Sequence, residues 1–216
     1  MALRLPASLT QADPTRAVEL LLAYYGNAVG GPLSRSGASF DMWDSGGTRE
    51  RDADVFTADD LVAVSLLAAE VPGLAARRLL VEQKERYDAL LAAVGPDRDL
   101  ATVTSLDDDG PEWALDEALR ELPGIGPTTG SKLYARKRPK LRPIYDTVVA
   151  EVLGTEVQHW EPIRQALQPA NGDLHERLQA MRVLAGLPEA VSVLRVLDVV
   201  VWMEGKQLRR AGTGSA

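Results

Sequence analysis

Asp146 is the only acidic residue in the window 122–150. Six basic residues precede it there: Lys132, Arg136, Lys137, Arg138, Lys140 and Arg142. A carboxylate so placed can stabilise positive charge developing on a substrate, or position and deprotonate a water. The cations could meanwhile hold a polyanion. The window opens with Leu122-Pro123-Gly124-Ile125-Gly126, a tight turn between two helical patterns. Thr128 and Thr129 then begin a helix whose first N–H groups have no partner inside the helix. Free donors and the helix dipole together favour a phosphate at that end.

Each feature has a plainer alternative. Short glycine-containing loops join helices in many helical proteins, with Gly124 and Gly126 supplying backbone freedom and Pro123 ending a helix. Asp146 precedes Thr147-Val148-Val149, where an aspartate caps a helix. A basic run can be a solvated face.

The elements that must position these residues read as helices almost throughout, so the expected class is all-α. Asp13-Pro14 starts a helix that stops at Gly26. Residues 26–56 lose periodicity and read as a long irregular loop or a short hairpin. Thr57 and Asp60 form a capping box for a helix through Ala69. Helices follow over 74–94, from Pro111 to Glu121, and from Pro127 to about Lys137. Pro139 and Pro143 force extended backbone up to Asp146. Further helices are expected at 146–153, about 160–168, 173–185 and from Pro188, with a disordered tail at 206–216. The whole reads as a single compact domain. It divides at most into two lobes, one of about 1–110 with the C-terminal helices and one of about 111–187 carrying the turn.

Composition narrows the chemistry. The 216 residues include no cysteine and two histidines, which leaves thiolate metal sites, cysteine nucleophiles and Ser-His-Asp chemistry poorly supported. No signal pattern or membrane-spanning run stands out, so a cytoplasmic protein is expected. Net charge is −7, which disfavours indiscriminate binding to nucleic acid. The charge is uneven. Residues 1–110 carry 10 Lys+Arg against 18 Asp+Glu, and residues 111–216 carry 14 against 13. At a Debye length of about 8 Å, a ligand near the basic window feels that window more than the total.

LPGIG followed by a helix of small residues resembles the helix-hairpin-helix motif, which binds DNA through backbone groups without reading sequence. Gly126 and Asp146 lie twenty residues apart. Hairpin, helix, extended link and aspartate at that distance resemble the helix-hairpin-helix DNA glycosylase superfamily over residues from about 112 to 154. The resemblance implies a DNA-repair hydrolase that excises a damaged or modified base, with Asp146 as the catalytic carboxylate and duplex DNA as partner. It implies backbone contacts from Gly124, Ile125, Gly126, Thr128, Thr129, Lys132, Arg136, Lys137, Arg138, Lys140 and Arg142. An extruded base needs an aromatic pocket or wedge, for which Tyr145, Trp43 and Phe40 are candidates. Trp113 and Trp202 sit at helical spacing and read as core. The segments FTADDLVAVSLL and LRVLDVVVWMEG also resemble a group of bacterial proteins without assigned function.

The chain departs from the superfamily in two ways. Thr128 stands where bifunctional members carry a lysine, so Schiff-base strand cleavage is not expected. Without cysteine no iron–sulfur cluster can be held. No cofactor is expected, although a monovalent cation at the hairpin is compatible with the reading. The alternatives are a non-catalytic helix-hairpin-helix protein that binds DNA structure or damage, and a helical scaffold whose hairpin is merely a turn.

Overall fold

A computed structural model describes residues 3–26 and 35–213, with backbone only for 211–213. Residues 27–34 of the expected 26–56 loop and residues 214–216 of the expected tail fall outside the described residues.

Among the described residues the protein is all-α, with no strand. Eleven helices follow in order: α1 Ala7–Thr10, α2 Thr15–Tyr25, α3 Ala58–Leu66, α4 Gly73–Arg77, α5 Lys84–Val94, α6 Pro111–Arg120, α7 Pro127–Lys137, α8 Thr147–Leu153, α9 Trp160–Leu167, α10 Leu174–Leu184 and α11 Val193–Thr213. The local signals explain most boundaries. Thr57 and Asp60 form the expected capping box of α3. Pro111 and Pro127 occupy the first helical positions of α6 and α7, where a missing N–H costs nothing. Gly154 ends α8 in the left-handed conformation.

Several boundaries differ from expectation: the helix expected through Ala69 ends at Leu66, and the one expected from Pro188 starts at Val193. The single helix expected over 74–94 is divided by a π-helical stretch, Arg78–Glu82, and by Gln83 at φ −123°. Residues 35–56 hold a short 3-10 helix, Ser36–Ser39, and turns in place of a hairpin. The expected disordered tail from 206 is instead helical to Thr213, because α11 continues unbroken.

The apolar side chains form one connected cluster with members from α1 to α11. Helix α11 packs on α2, α8 and α10, while α7 packs on α6 and α3. The α8–α11 contact depends on Gly205, where an added Cβ would lie 2.7 Å from Val148 Cγ1. Only a glycine there lets α11 lie this close to the first turn of α8. Elsewhere in the core Trp160 is buried against Trp113 and Tyr134, with ring centroids 5.1 and 5.5 Å away.

Candidate functional site

Helices α6 and α7 are joined by the turn at 121–126. Leu122 and Ile125 are buried and Gly124 and Gly126 are exposed. Gly124 has φ +77°, and a Cβ on it would meet Pro72 Cγ at 2.9 Å. No hydrogen bond among the described residues takes up the Gly124 or Gly126 N–H. The turn therefore offers free backbone donors, and Thr128 and Thr129 are half-buried behind it.

The basic residues beyond the turn correct the expectation of a phosphate-contacting run. Lys132, Arg136, Lys137, Arg138 and Arg142 are all buried, and only Lys140 is exposed. Arg136 bonds Asp60 at 3.2 Å and the carbonyls of Phe40 and Trp43. Lys137 pairs with Asp60 at 2.5 Å and donates to the Asp52 carbonyl. Arg138 pairs with Asp54 at 2.5 Å and donates to the carbonyls of Ala53, Leu91 and Gly95. Arg142 pairs with Asp116 at 2.5 Å and lies 4.3 Å over the Trp160 ring. A charge buried this deeply must be paired. The acidic N-terminal half supplies most of the partners, so the charge asymmetry of the sequence is largely an internal clasp. It ties α7 and the link after it to the loop 40–56, to α3 and to α6.

That clasp fixes the link leading to Asp146. Trp160 Nε1 donates to the Leu141 carbonyl at 3.0 Å. His159 Nε2 bonds the Ile144 carbonyl at 2.9 Å, and Thr155 Oγ1 bonds His159 Nδ1 at 2.8 Å. With Nε2 as donor, Nδ1 accepts from the threonine hydroxyl and the ring is neutral. Burial, helped by nearby Arg142, pushes its pKa down to about 4. The Tyr145 N–H donates to Ser131 Oγ at 2.9 Å, which closes the link onto α7.

Asp146 ends this link. Its Oδ1 accepts from the Val148 N–H at 2.8 Å, so it does cap α8. The same residue also lines a cleft of about 180 Å³. Lys132 and Ile144 line that cleft beside it, and Tyr24, Arg195, Asp198 and Trp202 face them from α2 and α11. Lys132 Nζ donates to the Leu67 carbonyl at 2.9 Å. Burial lowers the pKa of this ammonium, against the charges of Asp146 and Asp198. Arg195 is a hub. Its Nε contacts Asp41 at 3.0 Å, its Nη2 donates to Tyr24 Oη at 3.3 Å, and its Nη1 pairs with Asp198. Burial raises the Asp198 carboxyl to about 6; Arg195 and Lys132 oppose that shift, and Asp146 and Asp41 add to it.

The proposed base pocket or wedge is likewise corrected. Phe40 is buried in the core beneath Arg195. Trp43 packs half-buried on the core and is not among the cleft residues. Tyr145 stacks edge-on against His159 at 5.4 Å and does not line the cleft either. The aromatic walls are instead Tyr24 and Trp202, with centroids 6.1 Å apart. Trp202, read from its helical spacing as core, is half-buried with Arg35 and Lys206 5.3 and 5.4 Å from its ring. The sequence held one signal for this side of the cleft: Arg195 and Asp198 interrupt an otherwise apolar helical run, and such charges need a reason to be there. Among the described residues no cluster of side chains suited to a metal ion occurs, and no helix is long and apolar enough to cross a membrane.

Neither the curated proteins nor the solved structures contain a match to this chain. A family model, described as a family of unknown function (DUF6308), matches residues 17–205. That span takes in α7, Asp146, Asp198 and every other residue named above as lining the cleft, and the chain belongs to this family.

Proposed function

We propose that the cleft excises a damaged or modified base from DNA by hydrolysing the N-glycosidic bond, with Asp146 as the carboxylate beside the sugar. The observation that carries this reading is the double placement of Asp146. It caps α8 through Oδ1 and still lines an aromatic-walled cleft. The cleft is smaller than the roughly 300 Å³ at which sites for drug-sized ligands begin, which suits one flipped base. A carboxylate there stabilises the oxocarbenium-like state as the bond to the base lengthens.

Backbone contact falls to two other features on this reading. One is the exposed Gly124–Gly126 turn. The other is a groove of about 480 Å³ that shares Arg35 and Trp202 with the cleft and is also lined by Lys206, Arg209 and Arg210. Arg209 meets Glu151 there in an exposed pair, which is weak enough to exchange for a phosphate. The buried Arg136, Lys137, Arg138 and Arg142 serve the fold.

The test is incubation of purified protein with duplexes carrying alkylated, deaminated or oxidised bases. Alkali-labile abasic sites should form on at least one lesion, without strand cleavage before alkali because Thr128 carries no amine. A broad panel with no such sites would end the proposal. The exposed turn also supports a second reading, a non-catalytic DNA-binding protein. In that case salt-sensitive binding survives Asp146→Asn and no abasic site appears.

A further inference from the structure

The cleft contains a second carboxyl that the hydrolysis just proposed leaves unused. Asp198 projects from α11, and its side chain is only 13% exposed. One oxygen, Oδ2, is held by Arg195. The other, Oδ1, is closed off from solvent and has no hydrogen-bond partner among the described residues. An ionised oxygen left unpaired in such a place is costly. Arg195 does not offset that cost in full, because the same guanidinium also serves Asp41 and Tyr24.

The groups that face Asp198 come from five elements. Arg195 lies one turn back on α11, Lys132 comes from α7, Asp146 from the cap of α8, Asp41 from the loop after the 3-10 helix, and Tyr24 from α2. Gly205 lets α11 pack closely on α8, and the two carboxyl groups line one cleft. Like charges confined together cannot both ionise freely.

We propose that Asp198 and Asp146 share one proton across this cleft and work as an acid–base pair, with Asp198 the acid and Asp146 the base. This rests on the hydrolytic reading above. Asp198 gives its proton to a nitrogen of the departing base as the C1′–N bond breaks and the bonding electrons leave with that base. Water adds to C1′ and loses a proton to the Asp146 carboxylate. Asp146 then returns a proton to Asp198, and the net reaction is addition of one water across the bond. The elevated pKa of Asp198, about 6 through burial, fits a proton donor.

Two measurements decide it. In carbon-detected NMR of the ligand-free protein, Asp198 should titrate near pH 6, and Asp146→Asn should lower that midpoint by about 1 unit. An Asp198 midpoint near 4, or one that Asp146→Asn leaves unmoved, overturns the shared proton. This result does not depend on any activity. On a lesion that the protein excises, Asp198→Asn should lower kcat by about 10²-fold or more with little change in KM, and should remove the alkaline limb of the pH profile. Asp198→Glu should restore part of the rate. An unchanged kcat and profile in Asp198→Asn overturns the acid role even if the titration holds. Absence of excision by the parent protein would end the hydrolytic reading and this acid role with it, while the titration still decides the shared proton.

Discussion

Arg136 and Asp60, 76 positions apart in the chain, form an ion pair at 3.2 Å with side chains 1% and 3% exposed. The most basic helix of the protein is thus fastened to the acidic half by charges that never meet solvent. Pairs of this kind add little to stability compared with apolar packing, but breaking one strands the partner.

Arg136→Ala should therefore act on the fold. It leaves Lys137 as the ion-pair partner of Asp60 and frees the carbonyls of Phe40 and Trp43. A loss of about 3–5 kcal/mol is expected in a denaturant titration. Lys206→Ala should contrast with it. Its stability should stay within about 0.5 kcal/mol of the parent, while the salt slope of DNA binding should shrink by about 1. A stable Arg136→Ala protein with weakened DNA binding would mean that the run faces phosphate after all.

Asp146 has a cap role and a proposed chemical role, and two substitutions separate them. Asparagine caps about as well as aspartate, so Asp146→Asn should keep its melting temperature and lose excision. Asp146→Ala should lose excision and also about 1 kcal/mol of stability. Retained excision in Asp146→Asn would leave capping as the sole function of the residue.

The two glycines of the turn should respond differently. Gly124 sits at φ +77° against Pro72, so Gly124→Ala should cost about 1–2 kcal/mol. Gly126 has φ −97°, and no atom lies within 4 Å of the place an alanine methyl would take. Gly126→Ala should fold normally and weaken DNA binding several-fold if a phosphate approaches the backbone there. Equal affinities for parent and Gly126→Ala would remove the turn from the binding surface.

His159 makes a pH prediction. Burial holds its pKa at about 4, against an ordinary 6.5. Between those values the unfolded chain binds more protons, so stability is fully present above about 6.5 and falls as pH drops toward 4. The loss is on the order of 3 kcal/mol. Asp97 and Asp198, both pushed up to about 6 chiefly by burial, act in the opposite sense and lose their contribution as pH rises through 6. The stability difference between the parent and His159→Gln, followed from pH 7 to 4, isolates the histidine contribution. A flat difference would show that the imidazole is not held neutral.

The sequence by itself determined the local elements. Caps, first-turn prolines and terminal glycines placed α2, α3 and α6 to α8, because those signals act through contacts only a few residues long. Asp146 was visible because nothing else acidic lies near it in the chain. Tertiary structure decided the direction of the charges. Whether Arg138 meets a phosphate or Asp54 depends on a partner 84 positions away, and spacing along a helix carries no information about that. It also decided the far wall of the cleft. Asp198 and Trp202 line the same cleft as Asp146, and Gly205 lets α11 pack closely on α8, a packing of residues that are distant in the chain.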